Sequence, residues 1–346
     1  MKAELPRFPA GADSLIKKYL TPEVYADLAG KQTATGFTID AAIRSGLENA
    51  DSSIGIYLGD RETYTHFESV LSPIIRDYHK IEADPFQTRI HRDEFSPVSL
   101  PNADPEGMFI RSSRIRVARN LNQLPFCPHM SAADRIELEK RTGDALGKLP
   151  PDLSGNYISF TDLSPDEYDA MRTQKLAFPR GDRFQESAGL NQDFPTARGV
   201  FLSRDQGFRV WVNEEDHLRV MALSANADLS GVFNRLLKGL NYLNVSLDFA
   251  FDPSLGFLSS CPTNIGTAMR AGVHIRLPKL DRHRDILKEA VTRHHLQIRG
   301  TGGEKTAVEK AVFDISNARR LGVSANQIIC DLHDGLTEII ATEKKL

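Results

Sequence analysis

Cys261-Pro262-Thr263-Asn264-Ile265-Gly266-Thr267, followed by Arg270, is the stretch of this chain that says most about its fold and chemistry. It joins a lone thiol to a turn and to a nearby cation. A free cysteine is commonly a small buried hydrophobic residue, which is one interpretation of Cys261. The other is a thiol with a lowered pKa, because Thr263 can donate a hydrogen bond to sulfur and Arg270 is close in sequence. The remaining two cysteines, Cys127 and Cys330, are interpreted as structural.

Two further blocks place acids beside an arginine: Asn213-Glu214-Glu215-Asp216-His217-Leu218-Arg219 upstream, and Arg299-Gly300-Thr301-Gly302-Gly303-Glu304 downstream. The acidic run is either a solvated turn or a site in which Glu215 pairs with a guanidinium while Glu214 or Asp216 orders magnesium-bound water. Magnesium usually keeps several waters, so a full protein cage is not expected. The glycine-rich block is either a plain turn or a lid that brings Glu304 over a bound phosphate.

Arg114 and Arg116 are two residues apart on a predicted strand, so both side chains point to one face. Alternating arginines often decorate a solvated strand. They also suit phosphate, because the planar guanidinium donates two parallel hydrogen bonds and stays charged. Phosphoryl transfer needs such neutralisation of a triphosphate. The chain lacks the GxxxxGK[ST] pattern of a P-loop, so arginines would have to do this work.

Composition excludes several classes of protein. The 346 residues are 40% hydrophobic and 26% charged, which is typical of one large or two ordinary globular domains. A net charge of -3 gives the protein no overall electrostatic attraction to nucleic acid or to an anionic membrane. We see no secretory signal and no membrane-spanning run. Three widely spaced cysteines argue against a disulfide framework or a zinc site. These features predict a cytoplasmic protein without nucleic-acid or membrane partners.

The secondary structure that the sequence predicts changes along the chain. Apolar residues recur at helical spacing before residue 84, for example in 15–20, 22–28, 39–47 and 65–78. Four prolines between 84 and 107 predict an extended linker. Alternating strands then appear at 109–117, 199–202, 208–212 and 273–277, interleaved with helices. We therefore predict an α+β fold: an all-α domain at 1–90, a linker at 91–107, and a larger domain at 108–346 with a mainly antiparallel sheet flanked by helices.

The CPTN-x-GT block and its two companion blocks resemble the signature of the phosphagen kinases, the ATP:guanido phosphotransferase family, and most closely its arginine kinases. The resemblance runs from about Ser14 to the C-terminus. It implies the phosphagen kinase (glutamine synthetase-like) catalytic fold and reversible transfer of the γ-phosphoryl of MgATP to a guanidino group. The nucleotide contacts that it implies are Ser112, Arg114, Arg116, Arg219, Arg270, His274 and Arg299.

The resemblance also implies how the guanidino substrate is held. Glu215 and Glu304 match two glutamates that clamp the guanidinium, and Cys261 matches a thiolate that contacts it. Creatine kinases lack the second glutamate, so Glu304 favours L-arginine over creatine. Magnesium is expected to arrive with the nucleotide, near Glu214, rather than on direct protein ligands.

A loop in the helical segment matches the family's specificity loop, which implies substrate contacts from Ser52, Ser53, Ile54, Gly55 and Tyr57. Asp51 and Arg183 match a pair that bridges the domains on closure. The chain departs from the family at three places. Ser53 stands where glycine is usual, and Lys175 stands where a histidine packs on the base. Lys305 replaces a frequent histidine.

The expected function is thus phosphorylation of L-arginine, giving phosphoarginine and ADP. A taurocyamine or other guanidino-compound kinase remains an alternative, and so does a non-catalytic nucleotide sensor on the same fold. A bacterial protein-arginine kinase shares the catalytic block but would lack the helical N-terminal domain. The expected partners are the small molecules ATP and L-arginine, with the protein a monomer or a homodimer.

Overall fold

The computed structural model describes residues 4–87, 89, 95–300 and 310–346. Helices come first along the chain, and strands appear only after residue 109. The α-helices are α1 (Leu15–Tyr19), α2 (Pro22–Leu28), α3 (Ile39–Glu48), α4 (Glu62–His66), α5 (Glu68–His79), α6 (Ala132–Leu146), α7 (Pro165–Thr173), α8 (Arg183–Ser187), α9 (Leu229–Ser246), α10 (Arg284–Arg293) and α11 (Ala325–Lys345).

The N-terminal helices begin where the sequence supplies capping hydroxyls. Ser14, Thr21 and Thr38 each accept a backbone N–H from the first turn of α1, α2 and α3, and Pro22 stands at the first position of α2. Their apolar sides form a hydrophobic cluster that also takes in residues of the larger part, including Leu258 and Ile265. The helical part is therefore packed directly against the segment that contains Cys261.

The strands form one eight-stranded sheet, with every neighbouring pair antiparallel, in the order β2-β3-β4-β5-β1-β8-β10-β9. They are β1 (Ile110–Arg119), β2 (Gly155–Ser159), β3 (Gly199–Ser203), β4 (Phe208–Val212), β5 (Leu218–Ser224), β8 (Met269–Arg276), β9 (Leu296–Arg299) and β10 (Val312–Asn317). A separate small ribbon pairs β6 (Phe251–Asp252) with β7 (Gly256–Phe257).

The sheet has one apolar and one polar face, because side chains alternate along each strand. Ile115 and Val117 of β1 are fully buried in the main hydrophobic cluster, together with residues of α9 and α11 such as Phe233 and Ile328. The intervening residues, including Arg114 and Arg116, point to the opposite face. The packing of helices on one face thus leaves the other available for a site.

The described part of the predicted linker, from residue 95 onward, is extended and tightly held. The backbone N–H groups of Val98 and Leu100 donate to Asn234 Oδ1 and Ser230 Oγ of α9, each at 2.9 Å. Asp104 accepts the N–H groups of Phe109 and Ile110 at 2.7 Å and so fixes the start of β1. We retain the boundaries 1–90, 91–107 and 108–346 as a proposal.

The predicted fold class is confirmed: a small helical part precedes a larger part with an antiparallel sheet and helices. One predicted helix, 65–78, is in fact two, because the chain leaves helical geometry at Phe67 (φ -110°, ψ 23°) between α4 and α5. Among the described residues, no helix is both long enough and apolar enough to cross a membrane.

Candidate active site

The register of the sheet collects cations on its open face. Arg116 of β1 lies directly opposite Arg270 of β8, and Ser112 lies opposite His274. Directly opposed residues share one face, so these side chains converge. They line a cavity of about 500 Å³ that we call the sheet cavity. The predicted nucleotide-contact residues in its wall are Ser112, Arg114, Arg116, Arg270 and His274.

A second cavity, of about 380 Å³, lies between the helical part and the sheet, and we call it the interdomain cavity. Arg116 and Arg270 line both cavities. The other predicted site residues in the wall of the interdomain cavity are Asp51, Ser52, Ser53, Ile54, Gly55, Tyr57, Glu215, Arg219, Cys261 and Arg299. The two cavities therefore adjoin at a pair of arginines.

The cations are close enough to disfavour one another's charge. Burial holds the pKa of Arg116 well below its usual value, and the fields of Arg219, Arg114 and Arg270 lower it further. A bound polyanion would compensate for this concentration of guanidinium groups. The sheet face is thus built to receive several negative charges.

The acidic turn between β4 and β5 meets this cluster. Glu214 forms an ion pair with Arg219 at 2.7 Å, and Glu215 lies 3.5 Å from the same guanidinium. Burial raises the pKa of Glu215, and the neighbouring carboxylates of Asp216 and Glu214 raise it further against the opposing fields of Arg219 and Arg116. A cation beside Glu215 would stabilise its carboxylate form. The raised pKa also makes the carboxylate a better proton acceptor.

Asp216, expected as one of two candidates for ordering magnesium-bound water, is instead a structural anchor. Its side chain is only 4% exposed, and Oδ1 accepts hydrogen bonds from Asn120 Nδ2 at 2.7 Å and from the Ser260 backbone N–H at 2.6 Å. Asp216 therefore ties the acidic turn to the residue before Cys261. No motif in the sequence pointed to Asn120.

Both parts of the molecule hold the Cys261 segment. Leu58 N–H donates to Ser260 O at 2.7 Å, and His79 Nε2 lies 2.9 Å from Pro262 O. Gly266 has φ +88°, and an added Cβ would lie 2.2 Å from Arg320 O, so glycine is required there. The turn that the signature block predicted is therefore fixed by backbone geometry as well as by hydrogen bonds.

The expected lowering of the Cys261 pKa is wrong for the site as the structure describes it. Burial raises the pKa of the thiol to about 12, the field of Glu215 adds to the rise, and the Thr263 hydroxyl, 3.2 Å from sulfur, opposes it. Although Arg270 is near in sequence, its charge does not offset the rise in the pKa of the thiol that follows from the loss of hydration. A guanidinium placed between Cys261 and Glu215 would reverse the balance and favour the thiolate.

The predicted specificity loop is anchored by its backbone. Leu15 N–H and Ile16 N–H of α1 donate to Ser53 O and Ile54 O, each at 3.0 Å, and Gly46 N–H donates to Gly55 O at 3.1 Å. Gly55 has φ +75°, a conformation that disfavours any side chain. Ser53 is exposed at the rim, so a serine in place of glycine is sterically tolerated there.

Asp51 and Arg183 form an ion pair between the helical part and α8. A second link lies beside it, where Asn49 Nδ2 donates to Ser187 Oγ at 2.9 Å. These contacts close one side of the interdomain cavity. Because both side chains of the ion pair are about 60% exposed, the pair contributes little to stability by itself.

Asp51→Asn is expected to change the free energy of unfolding by no more than about 1 kcal/mol, as for other exposed ion pairs. It should nevertheless raise KM for the substrate of the interdomain cavity several-fold, because closure over that cavity loses one contact. Steady-state kinetics and urea unfolding of Asp51→Asn, Arg183→Gln and the double variant test this. An unchanged KM in all three would contradict a role in closure.

Some site residues were missed, and others cannot be placed. Glu304 and Lys305 lie outside the described residues. Asp314, opposite both His274 and Arg299 in the sheet, lines the sheet cavity. Arg320 lines the interdomain cavity, and its Nη1 donates to Thr263 O at 2.9 Å. Lys175, the expected departure from the family, does line the sheet cavity.

A resident metal centre finds no support in the described part of the chain, where no group of three His, Cys, Asp or Glu residues could hold an ion. The site instead offers arginines in the walls of both cavities, with a partly buried carboxylate and a buried thiol in the interdomain cavity. Such a pair of compartments can bind a polyphosphate beside a cationic small molecule and exclude water between them.

Comparison with known proteins agrees with this arrangement. The family described as "ATP:guanido phosphotransferase, C-terminal catalytic domain" matches residues 137–346, and its N-terminal domain matches residues 10–76. An arginine kinase of Callinectes bellicosus is 40% identical over 96% of this chain and 93% of its own length. An arginine kinase of Penaeus vannamei is 40% identical over 100% of this chain and 98% of its own length. An arginine kinase of Anthopleura japonica is 40% identical over 96% of the chain, but the chain spans only 46% of that protein.

Solved structures show the same fold with other named substrates. A lombricine kinase superimposes with a TM-score of 0.91 at 31% identity, covering 97% of this chain and 93% of its own. The duplicated taurocyamine kinase of Schistosoma mansoni, with bound components of a transition-state analogue, gives a TM-score of 0.87 at 35% identity. That match covers 97% of this chain and 47% of the duplicated one.

Proposed function

The chain belongs to the ATP:guanido phosphotransferase family and is a phosphagen kinase, and from that premise we propose that its guanidino substrate is L-arginine. The reaction moves the γ-phosphoryl of MgATP reversibly to the guanidino nitrogen, giving phosphoarginine and ADP. Its biological role would be buffering of ATP. The arginine kinases at 40% identity support this choice of substrate.

The observation that carries the proposal is the junction of the two cavities at Arg116 and Arg270. A nucleotide in the sheet cavity would present its terminal phosphate to this junction. A guanidinium between Glu215 and Cys261 would meet it from the interdomain cavity. Direct in-line transfer then needs no phospho-enzyme, because the two substrates are positioned rather than activated covalently.

Each group has a distinct part in this mechanism. The arginines Arg114, Arg116, Arg219, Arg270 and Arg299 neutralise phosphate oxygens as charge moves from nitrogen to the leaving ADP. Glu215 orients the guanidinium and accepts its proton, which its raised pKa favours. Cys261 tunes the charge of the guanidinium. Glu304 is proposed from the sequence alone as the second orienting carboxylate.

Magnesium enters as part of MgATP, and Glu214 is the candidate for ordering its waters. Ser112 and His274, whose Oγ and Nδ1 lie 3.2 Å apart, are proposed to contact the nucleotide from the sheet. A cytoplasmic location, a monomeric or homodimeric state, and the lack of nucleic-acid or membrane partners remain part of the proposal.

A coupled ADP-release assay with MgATP tests the substrate directly. L-arginine, taurocyamine, lombricine, glycocyamine and creatine are compared in parallel at matched concentrations. We expect the highest kcat/KM with L-arginine. A higher value with another guanidine would overturn the choice of L-arginine and keep the reaction. Binding of ADP without turnover of any guanidine would instead favour a nucleotide sensor.

Lombricine and taurocyamine are the competing candidates, because kinases named for them share the fold at 31% and 35% identity. Their substrates differ from L-arginine at the end remote from the guanidinium. The residues that decide between them therefore belong to the loop at Ser52–Tyr57 and to the wall that faces it. The inner contacts to the guanidinium would be common to all three.

Cys261→Ala is expected to lower kcat by about 10- to 100-fold, a loss of roughly 1.4–2.8 kcal/mol in transition-state stabilisation. It should not abolish turnover, because the thiol tunes charge and forms no covalent intermediate. Cys127→Ala, which alters a buried thiol that lines neither cavity, serves as the control. Complete inactivity of a folded Cys261→Ala protein would contradict the electrostatic role.

A further inference from the structure

A short segment after α7, residues 174–179, forms part of the wall of the sheet cavity, and we call it the wall segment. Its members that line the cavity are Gln174, Lys175, Ala177 and Pro179. Phe178 is instead buried in a small hydrophobic cluster with Phe160 and Val200. A ligand that fills the sheet cavity would therefore contact the wall segment.

The wall segment begins at a strained helix end. Lys175 N–H donates to Arg172 O at 2.9 Å, and the next N–H, of Leu176, donates to Met171 O at 2.9 Å. These two hydrogen bonds are the pattern of a Schellman motif. Lys175 has φ +57° and occupies the position of that motif where glycine is usual. A left-handed backbone disfavours a residue with a side chain, so contacts from elsewhere are needed to hold the segment in place.

Two side chains of β4 supply those contacts. Arg209 Nη1 donates to Lys175 O at 3.2 Å. Trp211 Nε1 donates to the next carbonyl, Leu176 O, at 2.8 Å. Arg209 Nε also donates to Gln206 O at 3.0 Å, so one guanidinium joins the wall segment to the turn before β4. The wall segment is thus fastened to the sheet at two successive carbonyl groups.

The register of the sheet places Arg209 on the same face as the predicted nucleotide contacts. Arg209 lies directly opposite Met221 of β5, and Met221 lies directly opposite Arg116 of β1. Arg209 and Arg116 are therefore two strands apart on one face, with about 10 Å between their backbones. Both residues line the sheet cavity, as does Met221. The wall segment is thus close enough to contact a nucleotide whose terminal phosphate reaches Arg116.

We propose that Arg209 is a positioning residue for the nucleotide, which holds residues 174–179 against the sheet as a preformed wall of the sheet cavity. A wall that is ordered before binding lowers the free-energy cost of holding the nucleotide. Arg209 acts through the wall segment, because the two hydrogen bonds that it donates both end at backbone carbonyl oxygens. This role rests on the proposed function, in which the sheet cavity holds ATP or ADP.

The test measures the affinity for MgADP by titration calorimetry, without any guanidine. Arg209→Met keeps the length of the side chain but donates no hydrogen bond, so the Kd for MgADP should rise about 10-fold. KM for MgATP should rise by a similar factor. KM for L-arginine and kcat at saturating substrates should change by less than about 2-fold.

Tryptophan fluorescence reports the wall segment directly. Trp211 is the only tryptophan of the chain, and its indole contacts the wall segment through Leu176 O and the ring of Phe178. In Arg209→Met without nucleotide, the emission maximum should shift to longer wavelength, because a displaced wall segment exposes the indole to water. The wild-type emission maximum in this variant would contradict a positioning role.

Two further variants separate positioning from charge. Arg209→Lys keeps the positive charge but lacks the planar fork that reaches both Gln206 O and Lys175 O, so its Kd for MgADP should also rise about 10-fold. Arg204→Met is the matched control and should bind MgADP as the wild type does. It removes an exposed arginine from the turn between β3 and β4, outside the wall of the sheet cavity.

The outcomes distinguish this role from the proposed function. Wild-type affinity for MgADP in Arg209→Met or in Arg209→Lys would overturn it, because the hydrogen bonds would then be dispensable or charge alone would suffice. Equal rises in KM for MgATP and L-arginine would also overturn it, as the sign of a general loosening. If the wild type binds MgADP but phosphorylates no guanidine, the proposed function fails and Arg209 is still judged by the affinity for MgADP. If the wild type does not bind MgADP, both fail.

Discussion

Glu215→Gln is expected to lower kcat for phosphorylation of L-arginine by about 100- to 10,000-fold, the usual contribution of a positioned proton acceptor. Glutamine keeps the size of the side chain and its hydrogen bonding but cannot take a proton or balance the guanidinium charge. The loss should appear mainly in kcat, because the arginines that hold the nucleotide remain. KM for ATP should be nearly unchanged.

The pH dependence gives an independent readout of the same residue. The pKa of Glu215 is raised by burial and by Asp216 and Glu214, so a fraction of the free enzyme carries the inactive protonated carboxyl as pH falls. In wild type, kcat/KM for L-arginine should therefore rise with pH through this raised pKa. In Glu215→Gln that ascending limb should disappear.

Stability should move in the opposite direction to activity. A carboxyl whose pKa is raised on folding costs stability as pH rises from the unfolded value toward the folded one. Glu215→Gln removes that cost and should raise the unfolding temperature at pH 8. Glu137→Gln, on the exposed surface of α6, is the control. A Glu215→Gln protein that is fully active, that keeps the ascending limb of the pH profile, or that is destabilised would count against the assignment.

Arg116→Gln should lower kcat about 1,000-fold or more, comparable to the loss of other arginines that stabilise a transferring phosphoryl group. Arg116 lies in the wall common to both cavities and directly opposite Arg270. Its neutral replacement cannot donate two parallel hydrogen bonds to phosphate or match the charge that develops there. Stopped-flow or steady-state kinetics with saturating MgATP measures the loss.

The ligand-free protein should nevertheless become more stable. Burial and the fields of Arg219, Arg114 and Arg270 all lower the pKa of Arg116, which means that its charge is unfavourable without an anion. Thermal unfolding of Arg116→Gln should show a higher midpoint without nucleotide and a smaller rise on adding ADP. Arg276→Gln, exposed at the end of β8, is the control. A lower midpoint without nucleotide would refute the idea of a repulsive cation cluster.

Local patterns predicted much of the fold. The strand predicted at 109–117 is found at Ile110–Arg119, and the strands predicted at 199–202 and 208–212 are found at Gly199–Ser203 and Phe208–Val212. These elements show clear alternation or turn residues. β2 and β5 were not predicted, because Gly155–Ser159 has only two large apolar side chains and Leu218–Ser224 carries apolar side chains on both faces.

The site was less accessible to sequence reasoning wherever it depends on contacts between distant segments. Acid, thiol and arginine types could be recognised within their blocks. The tie from Asp216 to Ser260, and the support of Asp216 by Asn120, depend on pairings more than 40 residues apart in sequence. The prediction of a lowered pKa for Cys261 failed for the same reason. Burial depends on the whole fold, and its effect on the pKa of the thiol is larger than that of a charge nearby in sequence.

The step that defines the proposed reaction is formation of a bond between the γ-phosphorus of ATP and a guanidino nitrogen. Phosphorus NMR of a reaction with MgATP and L-arginine tests it most directly, because a phosphoramidate has a resonance distinct from those of ADP and inorganic phosphate. We predict that the phosphoramidate and ADP appear together in equal amounts, and that adding MgADP to phosphoarginine regenerates ATP. Release of inorganic phosphate alone, or no reaction from folded protein that binds ADP, would contradict the claim.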